Sequence, residues 1–489
     1  MGVKREIRVD VRVREATAQQ AMSRVSAILL CLLLGGCGGA PDGKVHVSYW
    51  EKWTGAEGAA MQKVVDQFNH LQDKIVVEYL GTSDVDRKTL IATAGGDPPD
   101  VAGVWLNNVY TFADLNALLP LDDFIRGEGT TPEQWAARYS PVYGDMGVYR
   151  GVTWAAPSTP SVAALHWNKA MFRAAGLDPE RPPRTLAELD DMAEKLTKRD
   201  PQTGRIMQLG FLPQEPGWFA WSFPQWFGGQ LWDGKEITIG TAPGNLECYQ
   251  WVRKYTEKYG LEPIKAFTSG FGNFASPQNP FFSGQMAMVF QGVWMNNYIR
   301  QFAPGMEYGC APWPAVKPEL ADFANAEADM LAIPRGARHP KEAWEFIKFV
   351  SSINPQARSR EELLGMELLC YEQEKNSPLR QWSPFFEQHH PHPYIELFRR
   401  LAESPHAVHS PKIGIWQEFV DEQDEVFEKV RLLIEPPAEA LAFCQARVAE
   451  RWAEHRRSLA RHGVFAETKA LRSWLAGPHP SLTINRTVP

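Results

Sequence analysis

The stretch VHVSYWEKWTGAEGAAMQKVVDQFNHLQDKIVVEYLGTSDVDRKTLIATAGGDPPDVAGVW, residues 45–105, decides the fold. Val45 to Trp50 alternates like a strand. From Gly55 to Leu71 the apolar positions Met61, Val64, Val65, Phe68 and Leu71 recur at helical spacing on one face. Ile75 to Leu80 reads as a second strand. Asp86 to Ala94 reads as a second helix, stopped by Gly95-Gly96-Asp97-Pro98-Pro99, and Asp100 to Trp105 reads as a third strand. Strands that alternate with helices predict a doubly wound α/β sheet. Ligands bind such sheets beyond the carboxyl ends of the strands, where Trp50 and Trp105 stand.

Composition narrows the function. The 489 residues suffice for two or three domains and are 44% hydrophobic and 22% charged, a globular balance. The formal charge is −7. The first 36 residues carry six Lys/Arg against three Asp/Glu, a net of +3, which leaves −10 for the rest. An acidic chain of this kind has no electrostatic reason to bind nucleic acid. The chain holds 18 tryptophans, and many lie beside Gly and Pro. In a cleft, indole faces suit the polarised C–H groups of a sugar ring; in a core they only pack. Cys248, Cys310, Cys370 and Cys444 are widely spaced, with no C-x-x-C pair, and leave both disulfides and buried thiols open.

The amino-terminal region reads as an address. Arg24 precedes an apolar run of about ten residues that ends on small residues at Cys37, the layout of a bacterial export signal. Leu34-Gly35-Gly36-Cys37 resembles a lipobox, which implies cleavage before Cys37 and a lipid on its sulfur. Spanning a bilayer takes about 20 apolar residues, so the run is too short for an anchor of its own. The charged lead from Met1 to Gln20 is unusual for a signal, and Met22 is the expected start. The expected boundaries are 1–36 for the signal and 37–43 for the tether.

A family resemblance then covers about residues 45–350, carried by motifs in order. YWEKWTGAEGAAMQKVVDQF (Tyr49 to Phe68) and ATAGGDPPDV (Ala92 to Val101) come first. GVTWAAP (Gly151 to Pro157) and ALHWNKAMF (Ala164 to Phe172) with AGLD (Ala175 to Asp178) follow. FSGQMAMVFQGVW (Phe282 to Trp294), MLAIP (Met330 to Pro334) and KEAWEFIKF (Lys341 to Phe349) close the series. Together they resemble the family 1 extracellular solute-binding proteins of ABC transporters, the maltose-binding-like group. Trp167 replaces the family's usual tyrosine and Leu186 its usual tryptophan, which blurs the subgroup.

The resemblance implies a two-lobed fold of the periplasmic-binding-protein type II, each lobe built from discontinuous segments. The expected lobes are 44–155 plus 286–333 and 156–285 plus 334–455, with a carboxy-terminal extension over 456–489. The hinge is expected near Ala156-Pro157, Met286 and Ile333-Pro334. The implied function is capture of a carbohydrate, an oligosaccharide above all, for delivery to an ABC permease. The implied protein is an exported monomer, held to a membrane through its lipid alone, with no cofactor and no catalytic residue.

Candidate ligand contacts follow from position and chemistry. Trp50, Glu51 and Trp53 pair an aromatic platform with a carboxylate after the first strand. Asp84 follows the second strand, and Trp105 and Asn107 end the third. Ser158 follows the crossover. Trp218, Trp221 and Gln225 share a face if Gly217 to Phe227 is helical. Gln291 and Trp294 match the family position that points into the cleft. Asp329 and Trp416 complete the set. Each has a structural alternative: capping for Asp84, Glu51 and Asn107, turn chemistry for Ser158, core packing for the indoles.

Two other functional classes fit the residues less well. No G-x-S-x-G, H-E-x-x-H or P-loop occurs, and the paired carboxylates Asp122-Asp123 and Asp190-Asp191 read as solvated helix faces. A secreted glycoside hydrolase would share this composition and needs two carboxylates flanking a bond; a binding protein for a non-sugar solute is the other alternative. His389-His390-Pro391-His392 is a local histidine cluster, expected to be a solvated loop rather than a metal site.

Overall fold

A computed structural model describes residues 43–462 of the chain. The expected lipid site Cys37, the expected start at Met22 and residues 463–489 of the expected extension lie outside them. The first elements come close to their expected bounds: β1 (Val45–Glu51), α1 (Gly55–Leu71), β2 (Ile75–Gly81), α2 (Val85–Ala94) and β3 (Val101–Trp105). Met61, Val64, Val65 and Phe68 of α1 are buried, whereas Leu71, at the helix end, is only half-buried. Helix α3 (Leu106–Asp114) follows β3 directly.

The long strand β4 (Ala155–Asn168) organises the fold. Its first half pairs antiparallel with β7 (Ala324–Ala332), which also pairs antiparallel with β3. Its second half pairs antiparallel with β5 (Met288–Gly292) and β6 (Tyr308–Ala311). The sheet order is β6-β4-β7-β3-β1-β2, with β5 beside β4 and β8 (Ala407–Val408) beside β7. Because β1 and β3 are parallel while β7 runs against them, the sheet is mixed rather than wholly parallel.

Prolines at 157 and 160 in a central strand would each remove a ladder donor. A bulge absorbs them: Ala328 faces Pro160 and Met330 faces Pro157, so Ser158 and Thr159 together oppose Asp329 alone. Every residue of β4 is buried except Ser161, which is half-buried.

The pairings correct the expected partition. Residues 288–311, expected in the first lobe, pair instead with the second half of β4. Helix α6 (Pro340–Val350) is expected in the second lobe, but its Phe346 packs on Tyr49 and Phe68 of the first, with ring centres 5.3 and 5.4 Å apart. Helix α7 (Met366–Glu372) likewise packs on α1. Helices α8 (Trp416–Arg431) and α9 (Pro437–His462) return to the second half, against α4 (Pro243–Tyr259). The segment boundaries are invisible in periodicity, because a strand that changes partners midway reads as one apolar run.

An aromatic cluster fills the second half. Trp226 is fully buried, donates Nε1–H to the Pro314 carbonyl at 2.8 Å and meets Trp251, Phe290 and Trp313 edge-on. Phe290 and Trp313 stack at 4.1 Å. Cys248, Cys310, Cys370 and Cys444 are free, buried thiols. The histidine cluster is no solvated loop. His389 stacks on Phe385, His392 is buried against Phe398, and burial pushes the His390 pKa down to about 4. Asp190 is also not merely solvated, since Trp251 and Tyr255 both donate to its Oδ1. Among the described residues no helix is long and apolar enough to cross a membrane, and no cluster of three His, Cys, Asp or Glu is placed to hold a metal.

Candidate ligand-binding cleft

Both halves of the fold contribute to one cavity of about 430 Å³. From the first come Trp53, Glu57, Trp105 and Lys375; from the second come Trp218, Phe219, Trp221, Phe274, Trp294 and Tyr298. The shared strands supply Pro160 and Ser161 of β4 and Glu327 and Asp329 of β7. Ser161, the single residue of β4 that escapes full burial, is thus one of the two that face the cavity.

The first wall is an ion-paired aromatic shelf. Trp53 and Trp105 meet edge-on at 6.2 Å. The Lys52 ammonium lies 4.2 Å from the Trp105 ring centre and 4.7 Å from that of Trp53. The Lys375 ammonium lies 4.6 Å from the Trp53 ring centre. Each such cation over an indole is attracted by the ring quadrupole. Lys52 Nζ pairs with Asp329 Oδ1 at 2.7 Å and Glu51 Oε1 at 3.3 Å, and Lys375 Nζ pairs with Glu57 Oε1 at 2.8 Å. Burial opposes the charge on Lys52, but Asp329 and Glu51 outweigh it and hold its pKa above the usual lysine range. Burial raises the Asp329 carboxyl, with Glu51 adding to the rise and Lys52 opposing it. Glu51 itself is behind the wall: its Oε2 accepts the Tyr49 hydroxyl at 2.8 Å, and a Cβ on Gly103 would lie 1.8 Å from that oxygen. Only glycine at 103 leaves room for this carboxylate.

The second wall is nearly all aromatic. Trp218 packs edge-on against Phe274 at 4.8 Å and lies 6.4 Å from Trp294. The Trp294 ring folds back over Gly292, where a Cβ would sit 2.3 Å from it. The glycine two residues before the tryptophan therefore lets the indole lie flat against its own strand. Trp221 is mostly buried and meets Trp416 edge-on at 5.4 Å.

Six of the expected contacts meet at this cavity: Trp53, Trp105, Trp218, Trp221, Trp294 and Asp329. The others do not line it. Trp50 and Glu51 occupy opposite faces of β1, half-buried and buried respectively. Asp84 is exposed in left-handed backbone, caps nothing with its side chain and pairs with Arg87. Asn107 is half-buried at the start of α3. Ser158 is fully buried within β4, not after it, and donates to the Asp329 carbonyl at 3.1 Å. Gln225 is half-buried because residues 217–219 form a turn ahead of a 3-10 turn (Ala220–Ser222) and a short helix (Phe223–Trp226), which breaks the helical spacing from Trp218. Gln291 is buried in β5, and Trp416 supports Trp221 from behind.

Sequence reasoning missed Glu57, Ser161, Glu327, Lys375, Phe219, Phe274 and Tyr298. For Glu57 a signal existed, since it lies one helical turn beyond Trp53. Lys375 sits far along the chain, in an irregular stretch whose route to the cavity no local pattern encodes.

A mixed two-half fold around an inter-half aromatic cavity is the architecture of a solute-binding protein. The profile of the bacterial extracellular solute-binding protein family matches residues 52–357, more than half of the chain, and the chain belongs to that family. The sn-glycerol-3-phosphate-binding periplasmic protein UgpB of Pectobacterium atrosepticum is 24% identical over 302 residues, which cover 59% of this chain and 64% of that one. This chain thus matches a little under two thirds of that relative's length. The solved structure of CpMnBP1 with mannotriose bound superposes with a TM-score of 0.69 at 27% identity, over 82% of this chain and 99% of that one. Lmo0181 of Listeria monocytogenes, an ABC substrate-binding protein solved with cycloalternan, gives 0.66 at 19% identity over 83% and 99%, a likeness of fold.

Proposed function

We propose that this protein is the extracytoplasmic substrate-binding component of an ABC importer and that it captures an oligosaccharide between its two halves. The observation that carries the reading is the cavity wall, with five indoles from both halves around a few hydrogen-bonding groups. Flat apolar faces with sparse polar groups suit pyranose rings, and a volume near 430 Å³ fits a small oligosaccharide. The sugar-bound state of CpMnBP1 supports the same choice.

In this reading Trp53, Trp105, Trp218, Trp221 and Trp294 stack on the sugar, while Asp329, Glu327 and Ser161 accept or donate hydroxyl hydrogen bonds. The lobes are residues 44–155 with about 324–402, and about 163–311 with 413–462, joined through β4 and β7. Ligand that touches both lobes favours the closed state by its differential affinity. It leaves unchanged and passes to the permease. Cys37 carries the lipid, and the protein acts as a monomer.

Thermal-shift and tryptophan-fluorescence screens of the purified chain against di- to tetrasaccharides test the binding. A saccharide at about 100 times its Kd raises apparent stability by about 2.7 kcal/mol. No shift with any saccharide, or turnover of one, overturns the reading. Labelled palmitate that stays on the Cys37→Ala protein overturns the anchor.

A further inference from the structure

The charges around the cleft are lopsided. Four carboxylates, Glu51, Glu57, Glu327 and Asp329, stand in or directly behind the first wall and the shared strands, against the two ammonium groups of Lys52 and Lys375. Both ammonium groups are already matched, Lys52 by Asp329 and Glu51, Lys375 by Glu57. Asp86 adds a further carboxylate nearby, its Oδ1 accepting the Trp105 amide N–H at 3.0 Å.

Glu327 is the unmatched group. It is half-buried on β7, directly across from Ser161, and lines the cavity with Asp329 two positions on. Its Oε1 accepts the Ser410 amide N–H at 3.1 Å. Among the described residues no lysine or arginine pairs with it. The nearby His409 ring is committed elsewhere, Nε2 to Asp145 Oδ2 at 3.1 Å and Nδ1 to the Ser410 carbonyl at 2.7 Å. A half-buried carboxylate that has only Ser410 as a donor, only His409 as a cationic neighbour and no lysine or arginine partner is costly to keep ionised, and burial raises its pKa while Ser410 and His409 oppose the rise. A cation delivered by the ligand would relieve that cost.

We propose that the saccharide held here carries a protonated amine, placed against Glu327, and that the cleft refuses a phosphate ester; this rests on the saccharide reading above. The amine supplies the missing positive charge and forms a charge-assisted hydrogen bond, which is shorter and stronger than one from a neutral hydroxyl. The indoles around it attract a cation further. A phosphate has the opposite experience. Among the described residues Lys375 is the only lysine or arginine lining the cavity, and Glu57 already holds it, so a dianion would meet unmatched carboxylates. The glycerol phosphate in the name of the Pectobacterium relative is therefore not the chemistry of this cleft.

The test uses the full chain in calorimetric and fluorescence titrations. The probes are β-1,4-linked glucosamine dimers and trimers, the matching glucose oligomers, and glucosamine with and without a 6-phosphate. The aminated oligomer is expected to bind at least about tenfold tighter than its hydroxyl counterpart, equivalent to about 1.4 kcal/mol. That preference should shrink as salt rises, because the amine's share is electrostatic. Glu327→Gln is expected to cut the ratio of the two affinities about fivefold or more, and Glu327→Asp to restore part of it. Equal or tighter binding of the glucose oligomers to the wild-type chain overturns the proposal, as does tighter binding of the phosphorylated sugar. Neither comparison needs the variant to fold. If no saccharide of any form binds, the functional reading itself fails; if neutral sugars bind best, only this inference does.

Discussion

Lys52→Met is expected to lower the unfolding free energy by about 3–5 kcal/mol near pH 8, the usual cost of stripping one partner from a buried ion pair. Lys52 is nearly sealed from solvent between two indoles, and it is the shared counter-charge of Asp329 and Glu51. Without it two carboxylates remain close together in a dry wall. The pH dependence has a definite sign. The folded-state pKa of Asp329 is raised above its unfolded value by burial and by Glu51. A carboxyl raised on folding binds its proton more tightly in the native state, so stability falls as pH rises through that pKa. Removing the ammonium raises it further. The deficit of the variant should therefore be smaller at pH 5 than at pH 8. Urea denaturation followed by tryptophan fluorescence at both pH values checks this. A deficit under about 1 kcal/mol, or one that does not change with pH, would show that the pair is solvated and its net worth small. Adding Asp329→Asn to the variant should recover part of the loss, since the two sites are in contact and do not add independently.

The same wall shows why some of the site was legible and some not. Alternation along Val45 to Trp50 places the strand to within one residue, but position at the strand end favours Trp50 and Glu51 as ligand contacts. The pleat instead turns Tyr49 and Glu51 inward together, and Gly103 on the neighbouring strand makes the space for the carboxylate. That space depends on pairing with β3, which no local pattern states. The indoles were easier. Trp53, Trp218 and Trp294 lie within two residues of a glycine and Trp105 ends a strand, and together with Trp221 they converge on the cavity. Helical periodicity misplaced Gln225 because a turn and a 3-10 segment precede the helix. Ser161 and Glu327 were beyond reach for another reason. They face one another just before β4 changes partners, and that register follows from the bulge at Asp329 rather than from either strand alone.

Trp105→Ala and Trp218→Ala are each expected to weaken saccharide binding by about 10–100-fold, the loss typical of an aromatic anchor in an interface. Their effect on folding should stay within about 0.5 kcal/mol, because each is 48% exposed in the unliganded chain and leaves little cavity behind. The comparison residue is Trp226, which is fully buried among Trp251, Phe290 and Trp313. Trp226→Ala should cost about 3–5 kcal/mol of stability, the range for truncating a large core aromatic. Titration and melting curves on the three variants separate the roles of the indoles. Trp105 and Trp218 stand on opposite walls, so a ligand held by both must bridge the halves of the fold. Loss at either wall then removes part of the free energy that favours closure as well as a stacking contact. Full affinity in both single variants would place the ligand elsewhere; loss at one wall alone would show a guest held by one half, with no coupling to shape.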